Sequence, residues 1–393
     1  MRRICLFGDI DMKYFSYYDI NDKEGRGYCL AATNKMNYIC KAIVSQGETV
    51  EIISASIASS KGTFKGGRTK TAQGVTLKKF NAYRWGNAFQ KFWVTIYSFF
   101  AVFFYFLSHV KKAEKVIVYH SLSYLNAVSW AKFFKRFYLI LEVEEIYGDV
   151  SGNKKDKKRE LAFFKKADAY IFPAERLNET INSRGKPHVI VYGTYNVEEE
   201  IGEKRNDGKI HCVYAGTFDP RKGGAWAAVK AGEFLNENYH VHIIGFGSEN
   251  DKDSLINAIN DISKKTKGHI TYDGLLAGEE YIRFIQGCHI GLSTQNPEAG
   301  FNDTSFPSKV LSYLANGLRV VSIKIPVVVE SKIGDILYYY TQQNPGDIAG
   351  AIMSVDIDME YNSRNKIIVL DKQFKEDIGR LLKNDIVFKQ NNK

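Results

Sequence analysis

The chain has 393 residues, 45% of them hydrophobic and 25% charged. That is ordinary globular composition with length for two domains, each able to bury its own core, and it excludes long disorder, collagen-like repeats and low-complexity scaffolds. Fifty-four basic against 44 acidic side chains leave a formal charge of +10, which favours anionic partners such as nucleic acid, anionic lipid or phosphorylated small molecules without choosing among them.

In chain order, Met1-Arg2-Arg3 leads into the short apolar run Ile4–Phe7 and then Gly8-Asp9. The run is too short for a signal peptide and reads as a first buried strand over Arg3–Gly8. Further strands are expected at Thr49–Ser54, Lys115–His120, Phe137–Val143, Ala169–Pro173 and His188–Tyr192. Helical patterns fall near Gly27–Gln46, Trp85–Val110, Leu122–Lys135 and Lys155–Lys166. Within the second of these, Phe92–Leu107 is uncharged and rich in aromatics. It is shorter than the ~20 residues a membrane span needs, so it reads as a core helix first, then as a helix lying in a membrane interface, and last as a span.

The second half repeats the pattern. Strands are expected at Ile210–Gly216, Val241–Gly245, His269–Gly274, His289–Thr294 and Arg319–Lys324. Helices fill Gly224–Asn236, Ser254–Lys265, Glu279–Gln286 and Pro307–Asn316, and a last helical pattern covers Lys372–Leu382. Alternation of strand and helix means parallel sheets covered on both faces, here as two doubly wound domains. The charged stretch Glu198–Gly208 lacks apolar periodicity and reads as the linker. The expected organisation is a first domain over 1–197, a linker over 198–208, a second domain over 209–355 and a helical tail over 356–393. Open parallel sheets bind ligands beyond the carboxyl ends of their strands, so the expected site is the cleft between the domains.

Tyr214 to Gly224 runs from a strand end through a loop into a helix. Gly216 removes a side chain where the strand stops, and Arg221 and Lys222 put two cations beside a helix start that itself favours anions. The segment reads as a diphosphate clamp or as a solvated basic loop. Asp303 to Gly317 is a second such element. Pro307 suits a helix start and Gly317 its end, while Thr304, Ser305 and Ser308 offer hydroxyls there and Lys309 adds a charge. The plainer reading has Ser305 as a cap and Lys309 in water. Gly245-Phe246-Gly247 lacks the third glycine of a dinucleotide fingerprint, which disfavours a nicotinamide enzyme. His120 ends a strand. Glu142, Glu144 and Glu145 follow another strand end, as candidates for sugar hydroxyls or proton transfer or as a solvated loop.

There is no Walker loop, no H-E-x-x-H and no G-x-S-x-G. No acidic metal-binding motif occurs, so no metal site and no cofactor are expected. The basic run Lys154–Arg159 lacks interleaved aromatics, so nucleic acid is not an expected partner. Five scattered cysteines without a C-x-x-C pair suggest a reducing cytosol.

Taken in order, these segments resemble the family-4 glycosyltransferases, whose architecture is GT-B, with two facing Rossmann-like domains. The resemblance covers most of the chain and is strongest from Ala167 to Ser322. It rests on Ala167–Pro173, Val189–Tyr195, the phosphate loop Gly216–Gly223, His242–Gly247 and Leu314–Val321. The chain departs from the family where an E-x7-E pair is usual, since those positions hold Thr304 and Ser312, and Thr217 stands where an Arg commonly follows the first glycine. A branch with F-P-S-K, here Phe306–Lys309, deviates similarly.

The resemblance implies metal-independent, configuration-retaining transfer of a sugar from a nucleotide diphosphate to an acceptor hydroxyl. It implies Lys222 as the main phosphate-stabilising group, with Arg221 and Lys309 beside it and Gly216, Thr217, Thr304 and Ser305 around the donor. His120 matches a position that contacts the donor sugar, and Glu142 and Glu145 belong to the domain that usually takes the acceptor. The expected acceptor is an oligosaccharide or a lipid-linked sugar in surface polysaccharide synthesis. The protein is expected in the cytoplasm, peripheral on the inner face of the cell membrane. The competing readings are a nucleotide-sugar epimerase of the same fold and a non-catalytic nucleotide-sugar-binding partner protein.

Overall fold

The computed structural model describes residues 12–16, 30–55, 58, 62–298, 302 and 304–383. The strand expected at Arg3–Gly8, together with Cys5, Cys29 and Asp303, lies outside the described residues. The chain divides into two compact units: 1–173 with 177–191 and 373–393, and 174–176 with 192–372.

The first unit is built on an eight-stranded sheet. Its strands are β1 (Met12–Ser16), β2 (Val50–Ser54), β3 (Gly67–Ala72), β4 (Val75–Lys79), β5 (Lys115–Tyr119), β6 (Tyr138–Glu142), β7 (Ala169–Phe172) and β8 (His188–Ile190). The order is β3-β4-β2-β1-β5-β6-β7-β8, and every pair is parallel except β3 with β4. Its helices are α1 (Leu30–Ser45), α2 (Ala88–His109), α3 (Leu125–Lys135), α4 (Tyr147–Val150), α5 (Lys154–Phe164) and α6 (Glu175–Ile181). The central strands are near-continuous runs of Val, Ile and Leu, as strands covered on both faces must be. The β3–β4 hairpin is not apparent from the sequence, because β3 carries Arg68 and Lys70 and is largely exposed at the sheet edge.

α2 starts at a capping box, in which Asn87 Oδ1 accepts from Gln90 N–H at 2.9 Å and Gln90 Oε1 accepts from Asn87 N–H at 3.2 Å. Its inner face carries Val94, Val102, Tyr105 and Phe106. The Phe106 ring stacks on Phe15 at 3.9 Å and on Phe137 at 5.0 Å. Burying one such ring stabilises by roughly 1.5–3 kcal/mol. Tyr105 also donates to the buried Glu51 carboxylate at 2.8 Å. The other face exposes Phe89, Phe92, Trp93, Phe100 and Phe104, and the neighbouring α3 exposes Trp130, Phe133 and Phe134.

The second unit has six parallel strands: β9 (Ile210–Thr217), β10 (Tyr239–Phe246), β11 (His269–Tyr272), β12 (Ile290–Ser293), β13 (Arg319–Ile323) and β14 (Tyr338–Tyr340). Their order is β11-β10-β9-β12-β13-β14. The helices are α7 (Gly224–Ala231), α8 (Glu249–Ser263), α9 (Gly278–Gln286), α10 (Lys309–Ala315), α11 (Pro326–Val329), α12 (Pro345–Met353) and α13 (Ser363–Lys383).

The stretch read as a linker, 198–208, is held on this unit. Gln286 accepts from Gly202 N–H at 2.8 Å, Lys204 donates to the Cys288 carbonyl at 2.6 Å, and the Arg205 guanidinium lies over the Phe284 ring. The helical tail expected over 356–393 carries α13. It belongs to the second unit up to Lys372, and from Gln373 it is part of the first, where Phe374 stacks on Tyr38 at 5.3 Å.

Candidate functional site

In each sheet the strand order reverses at one point, and the crevice beyond the carboxyl ends there is where such sheets receive ligands. In the second unit the reversal lies at β9, flanked by β10 and β12. β9 ends in Gly216 and Thr217, and the loop into α7 carries Asp219, Arg221 and Lys222. Gly245 of β10 lies beside Gly216, and a Cβ on Gly245 would stand 1.8 Å from the Gly216 carbonyl oxygen. Only glycine lets these two strand ends meet. A Cβ at Gly216 would sit 3.1 Å from the Lys309 ammonium, so its absence makes room for that charge.

Lys309 is half-buried and carries its ammonium inward over the Tyr214 ring, 3.8 Å from the ring centre. Burial, then the like charge of Lys222, push its pKa down to about 7. This corrects the reading of Lys309 as a water-facing lysine. Ser305 is not the cap either, because Ser308 occupies that position and no side chain caps α10. Thr304 and Ser305 are half-buried in the preceding loop. Ser312 is hydrogen-bonded to the Tyr281 hydroxyl at 3.1 Å.

Lys222 is exposed. The loop holds it through its own N–H on the Asp219 carbonyl at 3.0 Å and its carbonyl on Asn296 N–H at 2.8 Å. The start of α7 has no side-chain cap, with Gly223 in the left-handed region at φ 67°. Of its first-turn N–H groups, that of Ala225 meets the Tyr214 hydroxyl, and no cap residue takes the others. Arg221 points away from this role. Its guanidinium makes a forked pair with Asp219, Nε to Oδ1 at 3.0 Å and Nη2 to Oδ2 at 2.7 Å, and is largely in solvent. That pair holds the Asp219 carboxyl down at about 2.

In the first unit the reversal lies at β1, flanked by β2 and β5. His120 follows β5 and is buried between the Tyr147 ring, stacked at 5.0 Å, and the edge-on Phe164 ring at 4.8 Å. Neither ring nitrogen has a hydrogen-bond partner. Nε2 lies 3.3 Å from Glu160 Oε1 but off the bonding direction. Burial pushes the imidazole pKa down to about 3, so it is neutral. Glu160 accepts instead from the backbone N–H groups of Tyr147 and Gly148, at 2.9 and 2.7 Å.

Sequence reading missed Glu160, because it closes the basic run Lys154–Arg159. Its spacing of three and four from Phe163 and Phe164 puts it on the buried face of α5 and is the signal that would have found it. The run itself is a capped helix start: Asn153 accepts from Lys155 and Asp156, Arg159 pairs with Asp156, and Lys157 with Asp149.

Glu142 departs from the acceptor-side role expected of it. It is wholly buried and accepts from the Tyr14 hydroxyl. Burial and the neighbouring Glu144 raise its pKa to about 8. Lys35 pairs with Glu144 at 2.7 Å. A carboxyl with no access to solvent cannot meet an acceptor hydroxyl, and its work in this position is structural. Glu145, half-buried in the same loop, remains at the carboxyl edge of the sheet.

No protein-family description and no curated protein sequence matches the chain. Solved structures do. Trehalose-6-phosphate synthase OtsA superposes with a TM-score of 0.68 at 11% identity over 96% of this chain and 100% of that one. Anabaena HepE in complex with UDP gives 0.61 at 10% over 95% and 100%. A UDP-forming α,α-trehalose-phosphate synthase from Burkholderia xenovorans in complex with glucose-6-phosphate gives 0.62 at 10% over 96% and 99%. At 10–11% identity this likeness is one of fold, and the fold is GT-B: two Rossmann-like, doubly wound parallel-sheet domains in one chain.

Proposed function

We propose that the protein is a glycosyltransferase that moves a sugar from a nucleotide-diphosphate sugar to a carbohydrate or lipid-linked hydroxyl. The observation that carries this reading is the placing of Lys309 and Lys222 at the end of β9, beside the uncapped start of α7. Two cations and a helix start at a sheet reversal suit the diphosphate leaving group, whose charge grows as the glycosidic bond breaks. Lys222 meets the phosphates from the solvent side and Lys309 from within, while Thr304 and Ser305 offer hydroxyls. Phosphate charge stabilised in this way needs no metal, and the sugar is transferred with retention, as the resemblance implies. In the first domain, His120 is assigned to the sugar by the resemblance alone, since Tyr147 and Phe164 bury it here as Tyr14 buries Glu142. Glu145 is the carboxylate assigned to the acceptor.

The similar solved proteins are described with UDP and with a sugar phosphate, which makes a UDP-sugar the first donor to try. Purified protein is screened by thermal shift against UDP-, GDP- and ADP-sugars, and the stabilising donor is then offered with acceptor pools. A ligand that binds only the folded chain raises the midpoint. Folded Lys222→Ala is expected to lose on the order of 10²–10³ in turnover. Near-normal turnover would overturn the assignment of Lys222.

A second reading, a nucleotide-sugar-binding protein without turnover, is favoured by Ser312, which is bonded to Tyr281 where the resembling family carries a glutamate. Donor binding with no transfer to any acceptor would select it.

We further propose that the protein works at the cytoplasmic face of the membrane in surface polysaccharide synthesis, held there by the exposed aromatics of α2 and α3. Among the described residues α2 alone is long and apolar enough to cross a membrane. Its inner face is engaged by Phe15, Phe137 and Glu51, which favours a helix lying at the interface over one that spans.

A further inference from the structure

Five of the chain's eight histidines gather at the amino-terminal edge of the second sheet, away from the carboxyl end of β9 that carries Gly216. His269, His240 and His211 stand opposite one another on adjacent strands, and His289 N–H bonds the His211 carbonyl from the strand beyond. His242, two residues past His240, shares its face. One ring nitrogen from each of His211, His240 and His242 lies within 4.8 Å of the others.

The hydrogen bonds around these rings decide where their protons are. His211 Nε2 is 2.9 Å from the Asp207 carboxylate, and His242 Nδ1 is 3.1 Å from the Asp273 carboxylate. A carboxylate only accepts, so each imidazole directs its N–H there. His211 Nδ1 and His242 Nε2 then face each other in a hydrogen bond of 2.8 Å, one proton shared between two rings whose far nitrogens both meet carboxylates. The Thr271 hydroxyl donates to Asp273 at 2.8 Å and so must accept from His240 Nε2 at 3.0 Å. This leaves His240 Nδ1 bare. Three imidazoles thus converge, two of them in contact through a proton that a bound cation would displace. Two of those imidazoles carry a carboxylate on the far nitrogen, the arrangement that fixes tautomer and orientation in histidine ligands of metals.

We propose that His211, His240 and His242 form a binding site for a late first-row divalent cation, with zinc the natural occupant, oriented by Asp207, Asp273 and Thr271. Imidazole suits zinc, copper and nickel, while magnesium and calcium take oxygen ligands. Zinc–nitrogen bonds of about 2.0–2.1 Å in tetrahedral geometry put ligand nitrogens about 3.3 Å apart, so His211 and His242 open slightly and His240 closes in. His242 is braced by the edge-on Phe284 ring of α9 at 5.2 Å. At roughly 3.3 Å per residue, the five residues from His211 to Gly216 put this site some 16 Å from the phosphate loop. The ion, with water completing its four ligands, ties β9 to β10 apart from the phosphate loop.

The test uses the full chain without a histidine tag, stripped with a chelator. Zinc is titrated calorimetrically, and cobalt(II) is used as a visible-absorption probe. One equivalent should bind saturably, raise the thermal midpoint and give the bands of four-coordinate cobalt. His240→Gln, at the half-buried position of the three, should weaken binding at least tenfold, and Asp273→Asn by about 10–100-fold. No saturable one-to-one zinc binding by the wild-type chain, or equal binding by His240→Gln, would overturn the proposal. If a variant fails to fold, the wild-type cobalt spectrum decides: absence of four-coordinate bands overturns the site, and a shared proton between His211 and His242 then explains the short contact.

Discussion

The Lys309 ammonium and the Tyr214 ring are in cation–π contact, 3.8 Å apart, at the end of the strand whose last glycine leaves them room. The contact offsets part of the cost of burying the charge. It does not remove it, since the lysine titrates at about 7, far below the ordinary 10.5.

A diphosphate bound beside Lys309 restores the charged form. Above pH 7 the free protein has mostly lost that proton, so binding must take one up, and affinity falls as pH rises. Calorimetry of UDP binding at pH 8, in two buffers of different ionisation enthalpy, should show uptake approaching one proton. Lys309→Met should abolish the uptake and weaken binding. Lys222→Ala, which removes the like charge that helps depress Lys309, should reduce it. Identical heats in the two buffers for the wild type would refute the coupling.

Glu142 gives a stability prediction of definite sign. Its folded pKa of about 8 lies above the ordinary 4.5, because burial and Glu144 disfavour the charge. Between those values the folded chain holds a proton that the unfolded chain has released, so this group's contribution to stability falls as pH rises and is fully lost above about pH 8. Glu142→Gln imitates the protonated form and still accepts from Tyr14. Its stability relative to wild type should climb between pH 5 and 8, by up to about 1.4 kcal/mol per pH unit. Urea unfolding of both proteins across that range measures it, and a flat difference would show that Glu142 is ionised in place.

The aromatic face of α2 and α3 predicts reversible membrane binding. The wild type should float with anionic liposomes at low salt, with binding weakened as salt rises and lost in alkaline carbonate. Trp130→Ser, Phe133→Ser and Phe134→Ser together should abolish flotation with little change in stability, since all three side chains are exposed. No binding at low salt would refute the peripheral reading, and retention through carbonate would point to a span.

Much of the architecture was legible in the sequence because parallel strands buried on both faces must be apolar throughout. β5, β6 and β12 stand out for that reason, and β9, β10 and β13 despite a histidine or arginine near their amino ends. β3 did not, because an exposed edge strand carries charge without penalty. α2 was legible as a helix, but which face was core was not, since both faces are aromatic.

At the candidate sites the sequence determined which residue types end which strands: Gly216, His120, Glu142 and the Arg221–Lys222 loop. Tertiary structure decided what each can do. Arg221 is spent on Asp219, Glu142 is sealed beneath Tyr14, and Lys309 turns inward. The five histidines lie up to 78 residues apart along the chain, from His211 to His289, and only strand pairing brings them to one edge. The physical reason is the same throughout. Burial by neighbours remote in sequence sets a side chain's charge, its protonation and its access to a ligand, whereas local pattern sets only the element on which it rides.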